Sequence, residues 1–364
     1  MGERTRGLEP AVRKGRAMRR EPISPSAGVE GPVIRLAHGS GGETTGRLIR
    51  ETILPRLGNP LLDRLGDSAV LALDGGARLA FTTDSYVIDP IFFPGGDIGY
   101  LSVCGTVNDL SMAGAEPRWI SAGLILEEGF PLESLERILD SMARAAAEAG
   151  VQLVTGDTKV VAHGSADRIF INTAGIGIIP DGLELGPERC RPGDRVLVSG
   201  PVGSHGLAVL AARKSFRLET SLESDVAPLG AKAAALVRAC PGLRMMRDPT
   251  RGGLAGVLSE ISAGSGLAVE LTEADVPVLD AVRGGCEILG FDPLFLANEG
   301  VLVAVVAPED SAMAVKALRE SGAEKAAVIG TLSKAQPRAV TVRTLVGGRR
   351  MLIPLGEELL PRIC

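Results

Sequence analysis

Aromatic side chains are scarce in this sequence. Phe, Trp and Tyr together make up 3% of it, which argues against the stacked-ring platforms that bind single-stranded nucleic acid. Cysteine is also sparse, with five residues: Cys104, Cys190, Cys240, Cys286 and Cys364. None stands in C-x-x-C spacing, which argues against a structural zinc site. An odd, sparse set points to free thiols in a reducing compartment, the cytoplasm. The three histidines, His38, His163 and His205, form no spaced metal set. No apolar run approaches the ~18 residues of a membrane span, and the longest clean one, Val301–Ala307, reads as a buried strand. A net charge of −5 gives no general attraction to nucleic acid or its phosphates. The G-x-x-x-x-G-K-[ST] phosphate loop is absent, as is a G-x-G-x-x-G after a strand.

Glycine, by contrast, is abundant. It accounts for 47 of 364 residues against a usual ~7%, in clusters that favour tight turns and close backbone approach to a ligand. Hydrophobic residues make up 45%, enough for a large aliphatic core, and the length favours two domains over one. The first stretch is Arg-rich with little apolar content. Residues 1–32 therefore read as a disordered basic extension rather than a secretory signal. Order is expected from Val33. "RLAFTTD" (Arg78–Asp84) and "RIFINTAGIGII" (Arg168–Ile179) are β-rich. Between them "LESLERILDSMARAAAEAG" places Leu135, Ile138, Leu139, Met142 and Ala146 on one helical face, stopped by Gly150. A loop-like stretch at Pro180–Gly193 sets the domain boundary: 33–182 for the first domain, 183–345 for the second. Residues 346–364 read as a flexible tail hinged at Gly347–Gly348. From there it reaches at most ~55 Å when extended. The class is mixed α/β (α+β type).

Four aspartates share one style, flanked by small or turn residues: Asp67 in "GDSAV", Asp84 in "TTDSY", Asp109 in "VNDLS" and Asp248 in "RDPTRGG". Hard cations such as Mg²⁺ take oxygen ligands, although an aspartate of this kind taken alone is more often a turn or cap residue. "HGSGGETTGRLI" and "DPTRGGLAGVL" set glycines before helices, where exposed N–H groups favour phosphate; each also reads as a plain turn. "VTGDTKVVAHG" places Asp157 and Lys159 in a strand-end turn. That lysine is a surface charge or a group for a phosphoryl or developing oxyanion. In "FLANEGVLV", Glu299 sits at the mouth of a buried strand, where a carboxylate needs a pair or a task. The chain ends "PRIC", on the bare thiol of Cys364. The adjacent α-carboxylate disfavours its thiolate, which either Arg362 or the pocket of a partner would offset.

Together "FTTDSYVIDPIFFPGGDIGYLSVCGTVNDLSMAGAEPRWISAGLILEEG", "VTGDTKVV", "IFINTAG", "DPTRGG", "ANEG" and "PRIC" resemble the HypE family of hydrogenase maturation proteins, within the aminoimidazole ribonucleotide synthetase-like superfamily. The resemblance runs from about Val33 to Cys364. It implies a two-domain fold of that superfamily, a homodimer joined through N-terminal strands, and ATP with Mg²⁺. It implies a metal held by Asp67, Asp84, Asp109 and Asp248. It places the nucleotide against Gly41, Gly42, Asp67, Asp84, Asn108, Asp109, Asp157, Thr158, Arg251 and Gly252.

The implied reaction is ATP-dependent dehydration of a carbamoyl group on Cys364 to a thiocyanate, the source of the cyanide ligand of [NiFe]-hydrogenase iron. A carbamoyltransferase, HypF, loads the thiol, and a HypC–HypD complex receives the product. Lys159 then stabilises the oxyanion or phosphate and Glu299 removes protons. Another ATP-using member of the superfamily, a selenophosphate synthetase or thiamine monophosphate kinase, is the alternative enzyme. "HGSGGETTG" lacks the reactive cysteine of the former, and the latter has no need of "PRIC". A non-catalytic thiol carrier is the alternative of another class, separated by assaying ATP hydrolysis. Removing residues up to Ala27 is expected to leave folding and ATP turnover unchanged; a large fall in melting temperature would count against this.

Overall fold

A computed structural model describes residues 33–39, 42–213, 220–335, 338–353 and 362–364. The expected disordered extension and Gly41 lie outside them. From Leu36 to Cys364 the chain forms one compact unit containing two main sheets.

The first sheet has five strands in the order Ala69–Ala72, Arg78–Tyr86, Ile169–Ile179, Glu116–Glu127, Gln152–Val161. Along Ile169–Ile179 every second residue from Ile169 is buried, the period expected of a strand with one covered face. It pairs antiparallel with Arg78–Tyr86, setting Asp84 opposite Thr173. The last pair, Glu116–Glu127 with Gln152–Val161, is parallel and is joined by the crossover helix Leu132–Ala149, as parallel pairing requires. That helix ends at Gly150 in the left-handed conformation, as read from the sequence. Ile138, Met142 and Ala146 are buried as expected, but Leu139 is exposed.

The helix Ile98–Met112 packs on this sheet and is apolar almost all round, which forces it inside. Asp97 caps its start, accepting from the backbone N–H groups of Gly99 and Tyr100 at 2.9 and 3.0 Å. Asp109 alone of its residues escapes full burial.

The second sheet has seven strands, in the order Arg349–Met351, Val340–Arg343, Ala268–Thr272, Ala327–Ser333, Arg195–Val198, Val303–Val306, Leu243–Arg247. The apolar run read as a buried strand supplies Val303–Val306, buried at every position between two antiparallel neighbours.

Two local expectations are corrected. Asp157–Lys159 lie within the edge strand Gln152–Val161, not in a turn; an edge strand exposed along its length carries no alternation to reveal it. Gly347–Gly348 lie in a hairpin turn, not a hinge. Thr344 N–H donates to Gly348 C=O at 2.8 Å, and the sheet runs on through Arg349–Met351, past the expected start of the tail.

Candidate active site at the chain terminus

Both sheets contribute loops to a cavity of about 570 Å³. Its walls are the Gly66–Asp67 loop, the end of strand Arg78–Tyr86, Asp109 on its helix, the Asp248–Arg251 turn, Glu299, and Cys364 itself.

Carboxylates dominate it. Asp67, Asp109 and Asp248 each offer an oxygen within 4.8 Å of the others. Burial and the neighbouring Asp248 and Glu260 push the Asp67 carboxyl up to about 8, against the opposing pull of Arg247, which is ion-paired to it at 2.6 Å. Asp248 is pushed to about 6, chiefly by burial. Asp109 is raised well above the usual range by burial and by Asp84, Asp248 and Asp67, although the Thr82 hydroxyl donates to it at 2.8 Å. Three converging oxygen donors without His or Cys suit a hard divalent cation, whose charge would relieve this repulsion. The donor set therefore fits Mg²⁺. Asp84, expected as a fourth ligand, stands outside that trio. It accepts from Tyr86 Oη at 3.3 Å, and its carboxyl is raised by burial against the pull of Arg251.

Glu299 is 2% exposed. Its Oε1 is buried with no hydrogen-bond partner among the described residues. Burial first, then Asp248, Asp225 and Asp84, hold its carboxyl well above the usual range. The backbone that carries it is fixed from behind. Glu299 N–H and Gly300 N–H donate to the two oxygens of Asp225, at 3.3 and 3.2 Å. Gly300 is required here, because a Cβ would come within 1.7 Å of the Asp225 carbonyl oxygen. Asn298 is fully buried; its amide accepts from Gly203 N–H at 2.6 Å and donates to Pro249 and Leu296 C=O at 3.0 Å each. In "ANEG" the asparagine braces, the glycine permits close approach, and the glutamate faces the cavity.

Asn108, expected at the nucleotide, is buried, and its amide goes to the same brace. It donates to Glu299 and Ala227 C=O and accepts from Leu229 N–H. Gly252 takes φ +74 in the turn that opens the helix Gly253–Ser265, so the glycines of "DPTRGG" release the chain from a strand and aim Arg251 at the cavity. Gly42 precedes the helix Glu43–Leu48.

The terminus docks inside. Cys364 is 9% and Ile363 1% exposed. Val87 N–H donates to Cys364 O at 3.3 Å and Asp89 N–H to Arg362 O at 3.2 Å, pairing the tripeptide with the segment that follows the second strand. Arg251 Nε donates to Cys364 Sγ at 2.9 Å and its Nη1 to Gly39 C=O at 2.6 Å. The cation beside the thiol is thus Arg251. Arg362, expected in that place, sends its Nε to Val87 C=O at 2.8 Å and its Nη1 to Asp167, and with Arg168 it holds the Asp167 carboxyl below its usual range. Arg362 has φ +56, a conformation costing a non-glycine residue roughly 1–2 kcal/mol, so these contacts hold it in place.

Lys159 is not brought to this cavity. It is 67% exposed and paired with Asp157 at 2.6 Å. Asp157 and Thr158 line a separate groove with Leu139, Met142 and Leu153. Reading the sequence missed Asp225, His205, Asp167 and Arg213. Asp225, Asp167 and Arg213 stand in no glycine-flanked motif, His205 in "GSHG" reads as the opening of a helix, and each acts on residues far along the chain.

None of the five cysteines forms a disulfide among the described residues. Among the described residues no helix is long and apolar enough to cross a membrane.

The chain matches the family models for AIR synthase related proteins, the N-terminal domain over residues 65–179 and the C-terminal domain over residues 191–343. It is 48% identical over 332 residues to carbamoyl dehydratase HypE of Azotobacter vinelandii, covering 91% of this chain and 97% of that protein. Among solved structures it is similar to a crystal structure of a HypE–HypF complex, with TM-score 0.80 at 44% identity, covering 85% of this chain and 99% of that one. It is also similar to a crystal structure of HypE in complex with ATP, with TM-score 0.76 at 48% identity, covering 90% and 99%. These matches bear out the expected fold and family.

Proposed function

Because the chain belongs to the HypE family, we propose that it is a cytoplasmic, ATP-dependent carbamoyl dehydratase that works on its own C-terminal cysteine. A partner carbamoyltransferase, HypF, loads Cys364 Sγ with a carboxamide. With the terminus docked, the carboxamide oxygen attacks the terminal phosphoryl of ATP, releasing ADP. The amide protons and phosphate then leave, and S–C(=O)NH₂ becomes S–C≡N. The product passes to a HypC–HypD complex as a cyanide ligand for [NiFe]-hydrogenase iron.

The observation that carries this reading is the chain's own last thiol. It sits 2.9 Å from Arg251 Nε, in one cavity with a buried carboxylate that has an unpartnered oxygen. Glu299 is placed to take an amide proton. Arg251, beside the sulfur, is the cation for the carboxamide oxygen and the phosphate it receives. Asp67, Asp109 and Asp248 would hold Mg²⁺, which supplies charge neutralisation at the nucleotide phosphates. Intact-mass analysis of the C-terminal peptide tests the proposal. Incubation with carbamoyl phosphate, ATP and the transferase should add one carboxamide, which then loses one water. A peptide that never gains the adduct overturns it.

The proposal includes a homodimer. Among the described residues strand Gln152–Val161 has an unpaired edge, and Leu153, Val154 and Val160 on it are exposed, as are Phe81, Trp119, Ile125 and Ile178 on other strands of the sheet. Bare apolar edges of this kind recruit another strand or aggregate. Pairing there would cover the strand that carries Lys159. Sedimentation at micromolar concentration is expected to show a dimer; a monomer contradicts it.

A further inference from the structure

Each of the three terminal residues has its own partners. Arg362 places its guanidinium between Val87 C=O and Asp167. Its carbonyl accepts from Asp89 N–H and from Arg213 Nη2 at 2.8 Å. Ile363 packs into the core against which Phe93 and Leu207 also pack, and its carbonyl is 2.8 Å from His205 Nε2. A carbonyl only accepts, so Nε2 carries the proton and Nδ1 accepts from the Ser224 hydroxyl at 2.8 Å. The imidazole is further fixed edge-on to Phe93, with ring centres 5.5 Å apart. Asp167 and Asp89 are both paired with Arg168, and Arg213 Nε also donates to Asp89 C=O at 2.9 Å.

These groups play no part in the chemistry proposed above. In these contacts among the described residues, they touch neither the thiol nor the carboxylates around it. What they share is the backbone and the arginine of the terminus, as in a receptor for a peptide ligand. The two ends of that receptor differ. His205 is fully buried and rigidly held, whereas the Asp167–Arg362 pair is solvent-accessible, with 43% and 31% of the two side chains exposed.

We propose that His205, Arg213 and Asp167 form a receptor for a C-terminal Arg-Ile-Cys sequence, with the Asp167–Arg362 pair as its release point. The balance of docking and release there sets how Cys364 is shared between its own cavity and the enzyme that loads it. This rests on the reading of Cys364 as a group loaded by a partner. The residues are positioning residues. Weakening the receptor should push the two half-reactions in opposite directions, which a general loss of structure does not do.

The test is the rate at which iodoacetamide alkylates Cys364 in the full chain, mapped by peptide mass, without ATP or transferase. Asp167→Asn should raise that rate about two- to fivefold, the upper part of the range of an accessible ion pair. Asp167→Glu should restore it towards wild type, and the wild-type rate should climb with salt while that of Asp167→Asn barely changes. With the transferase present, Asp167→Asn should load carbamoyl at least as fast as wild type, and single-turnover dehydration should slow in proportion. Arg213→Lys gives a second, independent perturbation expected to act in the same sense. An alkylation rate within twofold of wild type in both Asp167→Asn and Arg213→Lys overturns the receptor, as does a faster rate matched by an equal gain at Cys104 and Cys240, which signals unfolding. Because alkylation needs neither ATP nor transferase, a wild-type chain that is never carbamoylated overturns the proposed reaction and leaves the receptor standing.

Discussion

Replacing Glu299 with Gln is expected to leave a carbamoyl adduct on Cys364 that no longer loses water. In the proposed reaction, loading takes place on the partner enzyme and has no need of Glu299. Dehydration needs a group to accept the amide protons, and an amide of equal size cannot serve. The loss should fall in the 10²–10⁴-fold range usual for removal of a general base. Cys364→Ala separates the steps differently. It should bind nucleotide normally, since the thiol is only one wall of the cavity, and should show no adduct by intact mass. The dehydration step should also carry the titration of Glu299. Burial and the charges of Asp248, Asp225 and Asp84 hold its carboxyl well above the usual range, so below that raised value the protonated form dominates and the base is silent. The rate should therefore rise with pH, up to tenfold per unit, until the group is ionised. Glu299→Gln should flatten that limb. Dehydration of Glu299→Gln at the wild-type rate would remove Glu299 from the role.

The second large effect is expected at Asp109. Asp109→Asn should lower Mg²⁺-dependent nucleotide turnover by more than about 100-fold, because an amide is a poor ligand where three carboxylates converge. The same change should not unfold the protein. A carboxyl whose folded pKa is raised contributes its stability at low pH and loses it as pH rises through that value. Only above that raised value is Asp109 ionised, and there it is a strained, like-charged neighbour of Asp67 and Asp248. Its amide counterpart should melt no lower than wild type in metal-free buffer at pH 8. Asp84→Asn is expected to be milder, since Asp84 faces Tyr86 and Arg251 and lies outside the three-carboxylate group. Wild-type turnover in both variants would take these aspartates out of the site.

How much of this was legible in the sequence depends on how local each signal is. "ANEG" and "DPTRGG" announce themselves, because a glycine marks close backbone approach and a charge beside it needs a reason. The helix to Gly150 follows from its apolar stripe and its cap. The strand Gln152–Val161 was misread because an exposed edge has no covered face to impose alternation, so Gly156-Asp157 looked like a turn. Gly347-Gly348 shows the reverse error: a glycine pair fits a hinge and a hairpin equally, and only the pairing of Arg349–Met351 decides between them. Asn108 sits in a motif rich in polar groups, yet its amide braces the far lobe, a contact across 191 positions of chain that no local pattern carries. Asp167, His205 and Arg213 were missed for the same reason.

The buried end of the chain has a practical consequence for anyone producing this protein. An oxygen of its terminal carboxylate accepts from Val87 N–H and its last side chain lies against Arg251, so an affinity tag fused after Cys364 would have to thread back out through the space of the proposed reaction. A tagged preparation of that kind should be well folded, soluble and inert, and could be mistaken for evidence that the protein is a scaffold. Fusion at the opposite end of the polypeptide, with the final cysteine left bare, is the preparation on which activity should be judged.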